Sequence, residues 1–209
     1  SSDGMIRQAE ITGLTLGYPF QNSVPRAEAL NAGRKNSFLA FPAAGNFSTA
    51  AGTLQMLVKP QWRLDSYGHC VFFKLVFDAS NHKGSFLGVN SFYLQKSPKQ
   101  QVIALVQDGN SRNGNITGSI PDSTDNWLHL AATWDAGKQV FSLYINGELQ
   151  GSNKFRPMTE QPVEFTLGSP STHNAQALID EVRILKRALT TEEIRRDYEY
   201  IRSGREFSD

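Results

Sequence analysis

The sequence predicts an all-β protein, a sandwich or barrel of short antiparallel strands followed by one C-terminal helix. Three observations predict it. Eight short apolar runs, rich in β-branched and aromatic residues, recur along the chain with turn residues between them. No segment of helical period falls between the runs, which argues against a parallel α/β sheet. One capped helical stretch follows the last run.

In chain order the runs are "GTLQMLVKP" (52–60), "HCVFFKLVF" (69–77), "SFYLQ" (91–95), "QVIALVQ" (101–107), "WLHLAATWD" (127–135), "VFSLYING" (140–147), "VEFTLG" (163–168) and "ALIDEVRIL" (177–185). The second is apolar on both faces apart from Lys74, the mark of a central strand. Trp127 and Trp134 in the fifth are expected in the core, and His129 between them as a packed strand residue. In the sixth, alternation puts Phe141, Leu143 and Ile145 on one face and Ser142 and Tyr144 on the other. Asn146-Gly147 then supplies the two positive-φ positions of a tight hairpin, and Asp108-Gly109 is a second such signal. Beyond the eighth run, Thr190 and Glu193 have capping-box spacing. Ile194, Tyr198 and Ile201 form one apolar stripe on a helix that ends near Ser203-Gly204.

The 209 residues are 39% hydrophobic and include 13 Phe, enough for one packed domain over 1–209. No Pro- or Ser-rich linker and no repeat divides the chain. Net charge is +1 without a basic stripe, so nucleic acid is not an expected partner. No apolar stretch is long enough to span a bilayer, and no membrane insertion is expected. Cys70 is the only cysteine, which rules out an internal disulfide or a cysteine zinc cluster. It reads as a small core residue.

"DNWLHLAATWDAGKQVFSLYINGELQG", followed by "FTLGSPSTHNAQALIDEVRILKRALTTEEI", resembles the laminin-G-like domains of the concanavalin A-like lectin/glucanase superfamily. Upstream, "GTLQMLVKPQW" is similar to a strand of the same family. The resemblance covers roughly residues 14 to 200 and keeps the family's motif order. It implies a jelly-roll sandwich of two curved antiparallel sheets. It also implies a module of a larger secreted, periplasmic or cell-surface protein, and calcium as a cofactor. Two departures stand out. The opening segment "YPFQNSVPRAEALNAGRKNS" has no Asp, and Gln55 and Met56 stand where the family commonly has Glu and an aromatic residue.

Glycanases share the fold, so the acids matter. A retaining or inverting pair needs two carboxylates flanking one bond, which acids at alternate positions on one face of a strand can supply. Asp180 and Glu181 are adjacent and point to opposite faces of a strand, and no other strand offers acids at alternate positions. The four histidines form no ligand spacing, and no nucleophile elbow or phosphate loop occurs. The expected function is therefore a non-catalytic recognition module for a glycan or a surface protein. A structural or assembly role and an unusual glycan-degrading enzyme are the alternatives.

Ligand contacts are expected from Tyr93 and Tyr144, which alternate with core residues and should present rings outward for sugar stacking. Lys74 interrupts an apolar strand. The polar stretch at 108–118 reads as a flexible hairpin loop, with Asn110, Arg112 and Asn113 available to a ligand. Alternation places Asp180 inward with Val182 and Ile184, and Glu181 outward with Arg183. An inward carboxylate needs partners. These are a calcium ion, as the resemblance implies, completed by carbonyls from 21–30, or backbone N–H groups or Arg26 and Arg34, if the opening segment pairs beside the last strand.

Overall fold

The alternating runs and their turns build two antiparallel sheets packed face to face. A computed structural model describes residues 10–12, 29–33, 37–63, 67–77, 91–108, 111–121, 126–155, 158, 160–169 and 173–203. The strands are β1 (Glu10–Thr12), β2 (Leu30–Asn31), β3 (Phe38–Pro42), β4 (Ala51–Pro60), β5 (Cys70–Val76), β6 (Ser91–Lys96), β7 (Gln101–Asp108), β8 (Ser111–Ser119), β9 (Leu128–Asp135), β10 (Val140–Ile145), β11 (Glu148–Lys154), β12 (Glu164–Gly168) and β13 (Ala177–Leu185). Helix α1 spans Thr191–Arg202. One sheet has the order β1-β3-β12-β5-β6-β7-β8, the other β11-β10-β9-β4-β13-β2. This is the jelly-roll sandwich that the resemblance implies. All eight runs become strands, and β5 is central, flanked by β12 and β6.

The core lies between the sheets and takes the inward side of each strand. Phe92 of β6 sits at its middle. Its ring meets Phe73 of its own sheet edge-on at 5.8 Å, and Trp134 and Phe141 of the other at 5.1 and 5.6 Å. Such edge-to-face pairs add to area burial because ring edges and faces carry opposite partial charge. Trp134 keeps its indole N–H satisfied by donating to the Ser48 carbonyl at 2.8 Å. Phe141, Leu143 and Ile145 are core residues, as alternation requires. Trp127 is half-buried and lies outside this core. Cys70 is fully buried, and burial pushes its thiol up to about 11, so it is an inert packing group.

Turn chemistry acts where expected. Asn146 and Gly147 have φ of 52° and 77° and join β10 to β11. The capping box forms: Glu193 N–H donates to Thr190 Oγ1 at 3.2 Å, and Thr190 N–H to Glu193 Oε2 at 2.8 Å. Ser203 caps the other end.

The stretch at 108–118 departs from expectation. It is not a loop: β7 continues to Asp108 and β8 pairs with it from Asp108↔Ser111 to Gln101↔Ser119. "SRNGNITGS" lacks an apolar alternation because, in its described portion, only Ile116 reaches the core. Strand β11, "ELQGSNK", is polar for a similar reason and lies at the edge of its sheet. Pairing with a neighbour, not intrinsic propensity, makes both into strands. The two edges approach closely, since a Cβ on Gly118 would sit 2.7 Å from Gln150 Cγ and Ile145 Cδ1.

Candidate functional site

Register brings two of the expected ligand residues together. Lys74 on β5 pairs with Tyr93 on β6, Tyr93 with Leu105 on β7, and Leu105 with Asn115 on β8. All four alternate with core residues and so lie on the outer face of the seven-stranded sheet. That face is largely closed. Tyr93 points away from the core as alternation requires, but it is only 3% exposed, so it does not present an open stacking ring. Lys74 is half-buried, and desolvation pulls its ammonium below the usual lysine value. Glu164 lies on the same face two residues before Thr166, the partner of Lys74 on β12, and has interactions of its own. Asn115 is exposed. Arg112 and Asn113 belong to β8, but their side chains, and all of Asn110, lie outside the described residues.

Tyr144 is on the opposite side of the molecule. It faces outward from the six-stranded sheet, yet it is 4% exposed, because α1 covers it. Its ring packs with Ala131, Leu185, Leu189 and Ile194, and its hydroxyl lies 3.3 Å from Thr191 Oγ1. The expectation of one ligand surface carrying both tyrosines is therefore corrected: Tyr144 is a seat for the helix. Periodicity gave the side correctly but could not show that the helix would cover it.

The same seat absorbs the polar residues of the outer face. Gln55 Nε2 donates to Asp197 Oδ2 at 2.9 Å, and Arg183 Nη1 reaches that oxygen at 3.5 Å. With its amide N–H groups directed at Asp197, Gln55 offers Oε1 to His129 Nε2, 2.9 Å away. His129 is 1% exposed and stacks on Tyr198 of α1 at 5.7 Å. Its Nδ1 is buried and has no hydrogen-bond partner among the described residues. Burial alone brings its imidazole down to about 4, so the ring is neutral. Gln55, where the family commonly has Glu, thus links sheet to helix.

Asp180 is also corrected. Strand β13 pairs Asp180 with Leu57 and Arg183 with Gln55, so Glu181 and Val182 together oppose Met56. Glu181 takes φ of 50° in this bulge. The extra residue resets alternation, and Asp180 and Arg183 both lie on the outer, helix-bearing face. Val182 and Ile184 face the core without Asp180. Asp180 Oδ1 accepts the Glu181 N–H at 2.8 Å, which holds the bulge. The opening segment does reach β13, since Leu30 pairs with Ile179. Arg26, Arg34 and residues 21–28 lie outside the described residues. Calcium needs about six to eight oxygens. Among the described residues no three His, Cys, Asp or Glu side chains come together, and Asp180 is one carboxylate toward such a site.

One cluster went unread in the sequence. At the end of the sandwich where β4 passes to β5, His69 meets His173 with ring centroids 5.8 Å apart, edge to face. Tyr67, two residues earlier, is 85% exposed. Lys96, buried beneath, donates to the Gly68 carbonyl at 3.1 Å and lies 5.8 Å from the Trp62 ring. Burial, the neighbouring His173 and the Lys96 ammonium hold His69 below its ordinary value. The available signal was Tyr67-Gly68-His69 immediately ahead of a strand, where an aromatic residue has no inward position on the strand to fill.

A laminin-G-type family model, described as the concanavalin A-like lectin/glucanases superfamily, matches residues 33–195. The chain belongs to the concanavalin A-like lectin/glucanase superfamily. No curated protein matches it in sequence. Among solved structures it is similar to the receptor binding domain of botulinum neurotoxin D, at TM-score 0.70 and 16% identity over 92% of this chain and 47% of that one. It is similar to the serotype D ligand binding domain in complex with N-acetylneuraminic acid, at TM-score 0.69 and 16% identity over 92% and 45%. The receptor binding domain of botulinum neurotoxin type G follows at 0.65 and 13% over 93% and 46%. The chain thus spans about half the length of these structures, and the likeness is one of fold. Within this lectin-like fold no described strand carries two acids at alternate positions, and the adjacent Asp180 and Glu181 lie at the start of the bulge.

Proposed function

We propose that this domain is a non-catalytic carbohydrate-binding module of a larger secreted, periplasmic or cell-surface protein. The placement of the acids carries the non-catalytic half. Glycoside hydrolysis needs two carboxyl groups flanking one bond. Here the one adjacent acid pair on a described strand, Asp180 and Glu181, lies at a bulge, with an Asp180 oxygen already accepting a backbone N–H. The carbohydrate half is supported by membership of a lectin-like superfamily and by similarity in fold to domains that bind receptors and, in one structure, N-acetylneuraminic acid. Fold likeness is a weak warrant for function, so the test is direct. The domain should bind members of a printed panel of neutral and sialylated oligosaccharides and release no reducing ends from them. Absence of binding across the panel by folded protein sinks the carbohydrate reading, and hydrolysis sinks the non-catalytic one.

An assembly role would favour one contiguous apolar patch. The large exposed apolar side chains among the described residues are Leu149 on β11, Tyr67 in the segment before β5 and Val163 just before β12. That scatter does not support it.

A further inference from the structure

We propose that helix α1 is an acid-released lid: it lifts from the six-stranded sheet as a unit, coupled to proton uptake by the histidine beneath it, His129. This stands apart from the carbohydrate reading.

The helix is built to move separately. Its seat is a small cluster of Ala131, Tyr144, Leu185, Leu189 and Ile194, none of which belongs to the core between the sheets. Along α1 the fully buried side chains are Ile194 and Ile201. Both sheets are complete without it. An element that rests on a satellite cluster opens at lower free energy than strands of the main core. A hinge precedes it. Thr53 Oγ1 donates to the Arg187 carbonyl at 2.8 Å and accepts the Leu189 N–H at 2.9 Å. The connection from β13 thus stays fastened to β4 while the residues after Thr190 swing.

His129 lies under the lid. Its ring is 1% exposed and stacks on Tyr198 of α1 at 5.7 Å. With Gln55 Oε1 accepting from Nε2, the second nitrogen, Nδ1, is buried and has no hydrogen-bond partner among the described residues. A proton added there would bury a cation whose new N–H meets no acceptor. The charged and titratable side chains around the ring do not offset that cost. Asp197 of α1 accepts from Gln55 and faces Arg183 of β13. Tyr198 contributes a neutral ring. Asp180 of β13 and Lys59 of β4 share the outer face but are set off by Leu57, and the Tyr144 hydroxyl of β10 lies against Thr191.

Lifting α1 removes Tyr198 and Asp197 together and turns the ring toward water. Covered, the imidazole is held down at about 4 by burial; uncovered, it returns toward its ordinary 6.5. The covered value is the depressed one, so the lid is fully held above the uncovered value and loosens as pH falls toward the covered one. Over that window each pH unit favours the lifted form about tenfold. What it uncovers is the outward side of the sheet at Tyr144, Ala131 and Leu185.

Hydrogen exchange followed by mass spectrometry, corrected for intrinsic rates, tests this on the unaltered protein and on His129→Gln at pH 7.5 and 5. In the unaltered protein the amides of 194–202 should be less protected than those of β5 at both pH values. They should lose about thirtyfold in protection at pH 5, against less than about threefold in His129→Gln, which keeps the other three histidines. Protection at 194–202 equal to that of β5 would mean that the helix opens only with the whole domain, and overturns the proposal. An equal loss in the variant overturns it too. A second measurement needs no variant: the His129 ring resonances of the unaltered protein should stay those of a neutral imidazole down to about pH 5. Titration of that ring near its ordinary value with the helix amides still protected would show that its charge does not wait on the lid, and overturns the proposal even if His129→Gln fails to fold.

Discussion

Acidification from pH 7.5 to 5 should destabilise this protein mainly through His129. The ring is 1% exposed and donates through Nε2 to Gln55, while Nδ1 is buried without a described acceptor. Protonation would place a charge there with no carboxylate in direct contact. Asp197 lies beyond Gln55 and is already paired with Arg183, Tyr198 is a neutral stacking partner, and Asp180 is one register position away across Leu57. The folded-state value is about 4, against about 6.5 in the unfolded chain. The folded pKa is depressed, so the unfolded state takes up the proton first. Stability is intact above the unfolded value and is lost as pH falls toward the folded one. At about 1.4 kcal/mol per tenfold in proton affinity, the full loss is about 3 kcal/mol, of which about 2 is gone by pH 5. Urea unfolding followed by tryptophan fluorescence at pH 7.5 and 5 measures it. His129→Gln has no titrating ring, so its stability should fall distinctly less over that window. His69 contributes in the same direction but is half-exposed, and it is present in both proteins. The Glu193 carboxylate is held low mainly by the Thr190 N–H, so its contribution is lost only at more acidic pH. Equal losses in the two proteins would refute the assignment of the buried ring.

Gly147→Val should lower stability by about 2 kcal/mol or more, since a β-branched residue is strained at positive φ. Its Cβ would also come within 2.9 Å of Tyr198 Cδ1 and press on the helix. An unchanged urea midpoint would contradict this. Asp180→Ala should cost about 1–3 kcal/mol by removing the acceptor at the bulge N–H. If chelator-treated protein gains melting temperature on adding calcium, and the variant does not, Asp180 is a calcium ligand; no shift, with the variant still destabilised, leaves the hydrogen-bond reading.

The local rules were legible in the chain. Alternation in 140–145, positive φ at Asn146-Gly147, the Thr190–Glu193 box and the apolar run around Phe72 and Phe73 each act over a few residues, and each appears in the fold. The resemblance supplied the sandwich, because motif order carries topology that composition does not. What the chain could not show depends on residues far apart meeting. Polar β8 and β11 are strands because β7 and β10 pair with them. Tyr144 is buried because α1, some fifty positions later, lies over it. Asp180 faces outward because one extra residue opposite Met56 resets the period of two, and nothing in "IDEV" marks a bulge. The Tyr67 end exists only because Gly68, Lys96 and His173 come from three loops and strand ends that the sandwich gathers. Periodicity decides which side of its own strand a residue takes. What covers that side is decided by the rest of the chain.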